Sequence, residues 1–106
     1  AVGRARKIVR GMMAYVQQHY HDPMGLNGVA DALKMYASYL SALFSTTAGV
    51  TFHKYVERIR LVKAQELLRD PRKRVSEVAY AVGYASADRF RHAFKASVGV
   101  PPSSSR

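Results

Sequence analysis

The 106-residue chain contains no cysteine, which excludes disulfides, thiolate metal sites and cysteine nucleophiles and permits a reducing compartment. Acidic residues are scarce: seven Asp and Glu stand against seventeen Lys and Arg, a formal net charge of +10. Solvent or a polyanion must offset the self-repulsion of such an excess, and nucleic acid is the leading candidate. No uninterrupted apolar run reaches the roughly 18 residues of a membrane span, so a soluble chain with no membrane partner is expected. No polar/apolar alternation runs long enough for a strand. Gly-rich phosphate loops, paired carboxylates and Ser/His/Asp arrangements are also missing, so neither an enzyme nor a cofactor is expected. The chain opens Ala1-Val2-Gly3-Arg4 without an initiator Met and with no signal-peptide pattern behind it; the expectation is a piece of something longer.

What is present is apolar material for one core, 48% of the residues, and hence a single domain over 1–106. The charge is uneven: residues 1–20 carry +4, 21–49 carry −1, 50–70 carry +2 and 71–106 carry +5. A uniformly basic peptide would repeat Lys and Arg throughout. Apolar residues recur at helical spacing in six stretches. Ile8, Val9, Met12, Tyr15, Val16 and His19 predict a helix over about 4–20, and Leu26, Val29, Ala30 and Leu33 a second, short one. Leu40, Leu43, Phe44 and Thr47 predict a third, ended by a left-handed Gly49. Phe52, Tyr55, Val56, Ile59, Val62 and Leu67 sustain the longest, over 52–69, until Asp70-Pro71 stops it. Val78, Ala79 and Val82 give a fifth, and Phe90, Ala93, Phe94 and Val98 the last, closed by Gly99 and Pro101-Pro102. Met12, Met13 and Met24 suit core filling.

The chain repeats itself. Val29-Ala30-x-Ala32-Leu33 matches Val78-Ala79-x-Ala81-Val82, and Leu40, Phe44, Gly49 and Val50 then match Phe90, Phe94, Gly99 and Val100 with one residue added in the turn. Each copy is a short helix, a tight turn and a second helix, with small Ala30 and Ala79 allowing close approach and Gly83 relaxing the second turn: a helix-turn-helix pattern. The expected architecture is all-α, homeodomain-like, with two helix-turn-helix units at about 26–47 and 76–97 joined by the 52–69 helix. At about 100° per residue, Ser38, Ser41, Ala42 and Ser45 face outward while Leu40, Leu43, Phe44 and Thr47 face inward. In the second copy Asp88, Arg91, His92 and Lys95 face out, Phe90, Ala93, Phe94 and Ser97 face in, and Arg89 lies on the flank. A major groove about 12 Å wide admits such a helix. A joining helix of about 18 residues would be roughly 27 Å long, near the roughly 34 Å between grooves one turn apart.

From about Leu26 to Arg106 the sequence resembles the C-terminal DNA-binding domain of AraC/XylS-family bacterial transcription regulators. The resemblance rests on Ser38-Tyr39-Leu40-Ser41-x-Leu43-Phe44, Gly49-Val50-x-Phe52-x-x-Tyr55 and Arg60-x-x-x-Ala64-x-x-Leu67-Leu68. It continues through Val78-Ala79-x-x-Val82-Gly83-Tyr84 and Phe90-x-x-x-Phe94-Lys95-x-x-x-Gly99-x-x-Pro102. It implies about seven helices, a bipartite site on double-stranded operator DNA in two successive major grooves, RNA polymerase as a partner and a cytoplasmic location. It also implies a sensing or dimerisation domain ahead of this segment. Base contacts fall on Ser38, Ser41 and Ala42 and on Asp88, Arg89 and His92; phosphate contacts fall on Tyr39, Ser45, Thr46, Arg91 and Lys95. The family usually has a basic or long polar residue at Ala42 and lysines at Ser45 and Thr46, so the first recognition helix is unusually uncharged. It offers hydroxyls and a methyl group but no bidentate Arg–guanine contact. The family's closing aromatic is absent, since Ser105 precedes Arg106.

Plainer roles compete. Arg89 either reads guanine or pairs with Asp88; Asp88 either accepts from a cytosine amine or complements the dipole of a helix capped by Ser86. His92 touches DNA or is simply exposed, and Tyr39 contacts the backbone or is partly buried. Arg72-Lys73-Arg74 touches DNA or is a solvated run. Arg4, Arg6, Lys7 and Arg10 steer DNA or belong to a solvated linker. His19-x-His21-Asp22 lacks a fourth ligand at metal spacing, so no metal is expected. A sequence-independent basic nucleic-acid binder and a partner-binding helical module are the competing functions.

Overall fold

The computed structural model describes residues 2–23 and 25–104, with the side chain of Val2 excepted; Met24, expected as core filler, and the Ser105-Arg106 end lie outside the described residues. The elements are α1 (Val2–His19), α2 (Leu26–Leu33), α3 (Ala37–Ala48), α4 (Phe52–Leu67), α5 (Val75–Ala81) and α6 (Ala87–Val98), then a short 3-10 turn at Pro102–Ser104. No strand occurs among the described residues, and the expected seven helices are six α-helices and that turn. Contacts divide the chain into two compact units, Ala1–His19 with Met24–Val56 and Tyr20–Pro23 with Glu57–Arg106.

In the first unit α1 buries Val9, Met12 and Val16, one stripe at helical spacing. Both α1 and α2 pack on α3, whose Leu40 and Phe44 are fully buried. Phe44 meets Phe52 edge-on at 5.5 Å between ring centroids, the geometry that aromatic quadrupoles favour. Thr51 starts α4 with a proper cap: its Oγ1 accepts from the Lys54 N–H at 3.2 Å.

The second unit's core is Leu61, Ala64, Leu68, Val78, Ala79, Val82, Phe90 and Phe94. Because Leu61 and Ala64 of α4, and Leu68 just past its end, turn inward here, Val62 is 49% exposed rather than a core residue as its spacing suggested. Thr47 and Ser97, expected on the inner faces of the third and sixth helices, are also exposed; Ala48 and Val98, one position on, are the partly buried ones. Both misplaced residues occupy the last turn, where the assumed period accumulates its largest error.

The repeat is carried by backbone hydrogen bonds. The Lys34 N–H donates to the Asp31 carbonyl and the Met35 N–H to the Ala30 carbonyl; the Gly83 N–H donates to Tyr80 and the Tyr84 N–H to Ala79 in the same pattern. Lys34 and Gly83 take positive φ, 57° and 104°, which turns the chain and lets carbonyls at the helix end find donors. Gly49 and Gly99 close α3 and α6 alike, with φ of 79° and 95°.

Gly83 is further constrained by a close approach. A Cβ there would lie 2.7 Å from the Tyr20 carbonyl oxygen and 3.1 Å from Arg60 Nε. Arg60 donates from Nε to the Tyr20 carbonyl at 2.8 Å and from a terminal nitrogen to the Asp22 carbonyl at 3.0 Å, tying residues 20–23 to α4. Its guanidinium lies 5.8 Å from the Tyr84 ring centroid, within cation–π range. Burial lowers the Arg60 pKa, with Tyr84 pulling the other way. The Tyr84 hydroxyl is buried and makes no hydrogen bond among the described residues. Burial pushes its pKa up to about 12, the negative charge of Glu57 adding to the rise and Arg60 opposing it.

Three stability predictions follow from this packing, each read by chemical denaturation. Phe44→Ala and Phe94→Ala should each cost about 3 to 5 kcal/mol; small losses would mean the helix faces are wrong. Gly83→Ala should cost about 1 to 3 kcal/mol for the backbone conformation alone, plus the clash with Tyr20, whereas Gly3→Ala, within α1 and with nothing within 4 Å of its Cβ, should be neutral or slightly stabilising. A Tyr84 pKa above the ordinary value means its contribution is intact below pH 10 and is lost as pH rises toward 12. Tyr84→Phe should therefore flatten the alkaline loss of stability without weakening the fold at pH 7, where it removes only an unpaired buried hydroxyl.

Candidate nucleic-acid interface

Each unit presents the second helix of its pair outward. On α3, Ser38, Tyr39, Ser41, Ala42 and Thr46 are exposed and Ser45 is half-buried; Tyr39 is 50% exposed. The opposite face is anchored by Leu40 and Phe44, so the outer row cannot turn inward without opening the core. The helix carries no charged side chain between Ala37 and Ala48, and Tyr36 at its N-cap makes no capping hydrogen bond.

On α6 the same anchoring by Phe90 and Phe94 leaves Asp88, Arg89, Arg91, His92 and Lys95 exposed. Ser86 caps this helix, its Oγ accepting from the Arg89 N–H at 3.2 Å. Asp88 thus sits in the first turn, where an acid complements the helix dipole. Its carboxylate accepts from Arg91 at 3.2 Å, so the Asp88–Arg89 pairing open from the sequence does not form: Arg91, one turn along, is the partner. The Arg89 guanidinium makes no ion pair or hydrogen bond among the described residues. The Asp88–Arg91 pair is well exposed and is screened by water, so Arg91 can exchange it for a phosphate at little cost. Arg91, His92 and Lys95 also line a shallow depression of about 490 Å³ completed by Ala96 and Pro101.

Other basic residues are placed differently. Arg72 is held by Asp70 through two hydrogen bonds of 3.1 and 3.2 Å, and Arg74 lies 3.9 Å from Glu77, so these two members of the run are engaged locally. Arg4, Arg6, Lys7 and Arg10 are exposed along α1, whose first turn has no acid. His19 stacks on Tyr15 at 4.4 Å, and His21 lies 3.5 Å from Asp22. Thr51 and His53, not singled out from the sequence, join Ser41 in lining a cleft of about 170 Å³ at the start of α4.

A helix-turn-helix domain family model matches residues 29–106. The melibiose operon regulatory protein of Escherichia coli (strain K12) is 28% identical over 98 residues, 92% of this chain and 32% of that protein; the chain spans about a third of the length of such relatives. Among solved structures, the C-terminal domain of AraT, a response regulator from Geobacillus stearothermophilus, superposes with a TM-score of 0.89 at 35% identity, covering 93% of this chain and 83% of that one. The DNA-binding domain of AdpA, a global transcriptional factor solved in complex with a target DNA, shares the fold at 23% identity, with a TM-score of 0.83 and coverage of 91% and 86%. With two outward-facing reading helices set on the same backbone turn, the chain belongs to the AraC-type family of helix-turn-helix DNA-binding domains.

Proposed function

We propose that the chain reads double-stranded operator DNA in a sequence-specific way for a bacterial transcription regulator, with α3 and α6 in successive major grooves. The observation that supports this most is the unpaired Arg89 on a capped, core-anchored α6. An arginine held at the N-terminal end of a groove helix can donate two hydrogen bonds to guanine O6 and N7. Asp88 and His92 are proposed to contact bases beside it, and Arg91 and Lys95 phosphates. On α3, Ser38, Ser41 and Ala42 are proposed for base edges, and Tyr39, Ser45 and Thr46 for the backbone. Phosphate contacts position the helices while base contacts specify.

The two units are proposed to act together as one DNA-binding domain. That AdpA's domain was solved on its target DNA favours this reading over sequence-independent binding. The length of the relatives beyond the matched third suits a sensing or dimerisation domain in the full protein, for which RNA polymerase as a partner and a cytoplasmic place of work are further proposed. No helix among the described residues is long and apolar enough to cross a membrane.

Selection from a pool of random duplexes should return a motif with two blocks about one helical turn apart; a pool that enriches for nothing would sink the proposal. On the selected site, Arg89→Ala should cost about 1 to 3 kcal/mol and relax one base position, while Lys95→Ala should weaken all sequences alike and flatten the salt dependence by roughly one ion. If Arg89→Ala weakened every duplex equally, base readout by Arg89 would be wrong.

A further inference from the structure

Within the first unit, the α2–α3 pair itself meets a polyanion with almost no charge, the unit's other basic residues lying on α1 and α4. Within residues 21–49 Lys34 is the sole Lys or Arg, and α3 has none. The positions of Lys34 and Tyr36 in the turn make this scarcity informative. Lys34 adopts φ 57° and ψ 46° and is the one described non-glycine residue with positive φ. Its counterpart in the repeat is Gly83, which adopts that region freely. Two residues on, Tyr36 takes the N-cap place filled in the other unit by Ser86, makes no cap, and is 84% exposed. At both positions the first unit has a larger side chain than stability favours. Neither side chain is spent inside the protein: Lys34 is exposed and makes no side-chain ion pair among the described residues. Lys34, Met35 and Tyr36 border one open groove with Ala30 and Asp31, at the N-terminal entrance of α3.

We infer that this turn is the backbone grip of the first unit: the Lys34 ammonium and the Tyr36 hydroxyl contact DNA phosphates flanking the groove that α3 enters. They supply from the turn what α3 lacks on its own surface. The inference rests on the DNA-binding reading above and adds two backbone contacts outside the recognition helix, one of them charged, to the uncharged ones proposed for Tyr39, Ser45 and Thr46 on α3. Among the residues lining the groove Lys34 is the one base and Asp31 the one acid.

The distinguishing consequence is that stability and affinity move in opposite directions. Lys34→Gly removes the left-handed side chain, and Tyr36→Ser supplies a cap; each should leave the melting temperature unchanged or higher. Each should also weaken binding to the selected duplex several-fold, and Lys34→Gly should flatten the plot of log K against log salt by about 0.9. Lys34→Arg should restore affinity. Unchanged affinity and salt slope in Lys34→Gly would overturn the inference. Lys95→Ala, measured on the same duplex, separates the two levels: if it weakens binding while Lys34→Gly and Tyr36→Ser do not, the turn is not a grip although the domain binds DNA. If the unaltered protein binds no duplex, the DNA-binding reading itself fails.

Discussion

Both reading helices owe their orientation to one backbone event, the passage through positive φ at Lys34 and at Gly83. Once the chain turns there, the carbonyls of Ala30 and Ala79 accept from Met35 and Tyr84 and the following helix is aimed. Buried Leu40 and Phe44 in one unit, and Phe90 and Phe94 in the other, then decide which face remains outside. Every exposed residue on α3 and α6 is exposed because that anchor row is not. In the second unit the turn is locked further, since Gly83 leaves room for the Tyr20 carbonyl that Arg60 holds. Arg60 is therefore a structural cation: its guanidinium donates to two carbonyls and lies beside the Tyr84 ring.

The same device is used twice with different chemistry. The second unit follows the rules that favour stability: glycine where φ is positive, serine at the cap, and an acid in the first turn. Its charge is placed on the exposed face of α6. The first unit departs from all three, with Lys34 at positive φ, Tyr36 at the cap and no acid in the first turn of α3, and has an uncharged reading face. Residues that break a local rule without an internal partner direct attention to binding. The net charge of +10 is thus not a uniform attraction. Part of it is neutralised locally, as at Arg72 and Arg74, part holds the fold at Arg60, and part faces outward on α1 and at Arg89, Arg91 and Lys95 of α6.

Most of the fold was legible because it is written in local signals: helical spacing of large apolar residues, prolines and glycines at the ends, and a repeat that fixed the pairing of helices. The errors are equally physical. Val62 was placed inside because a single period was drawn through a helix that contributes to two units, where Leu61 takes the inner position. Thr47 and Ser97 erred by one position at helix ends. The outer rows of α3 and α6 could be read by elimination, since each faces away from a phenylalanine. Which arginine pairs with Asp88 could not: Arg89 and Arg91 are both near in sequence, and only the direction of the side chains on α6 selects Arg91. The positive φ of Lys34 was also hidden, because a lysine gives no hint of a conformation that glycine announces.

The central claim is an unequal division of work between two copies of one motif. It is tested most directly by measuring affinity and its salt dependence on the selected duplex with one half-site scrambled at a time, the half-sites being assigned by the base position that Arg89→Ala relaxes. Scrambling the block read by α6 should reduce binding to the non-specific level, while scrambling the block read by α3 should cost less and leave the salt dependence nearly unchanged. Equal losses from the two blocks, or a larger loss from the α3 block, would contradict the account.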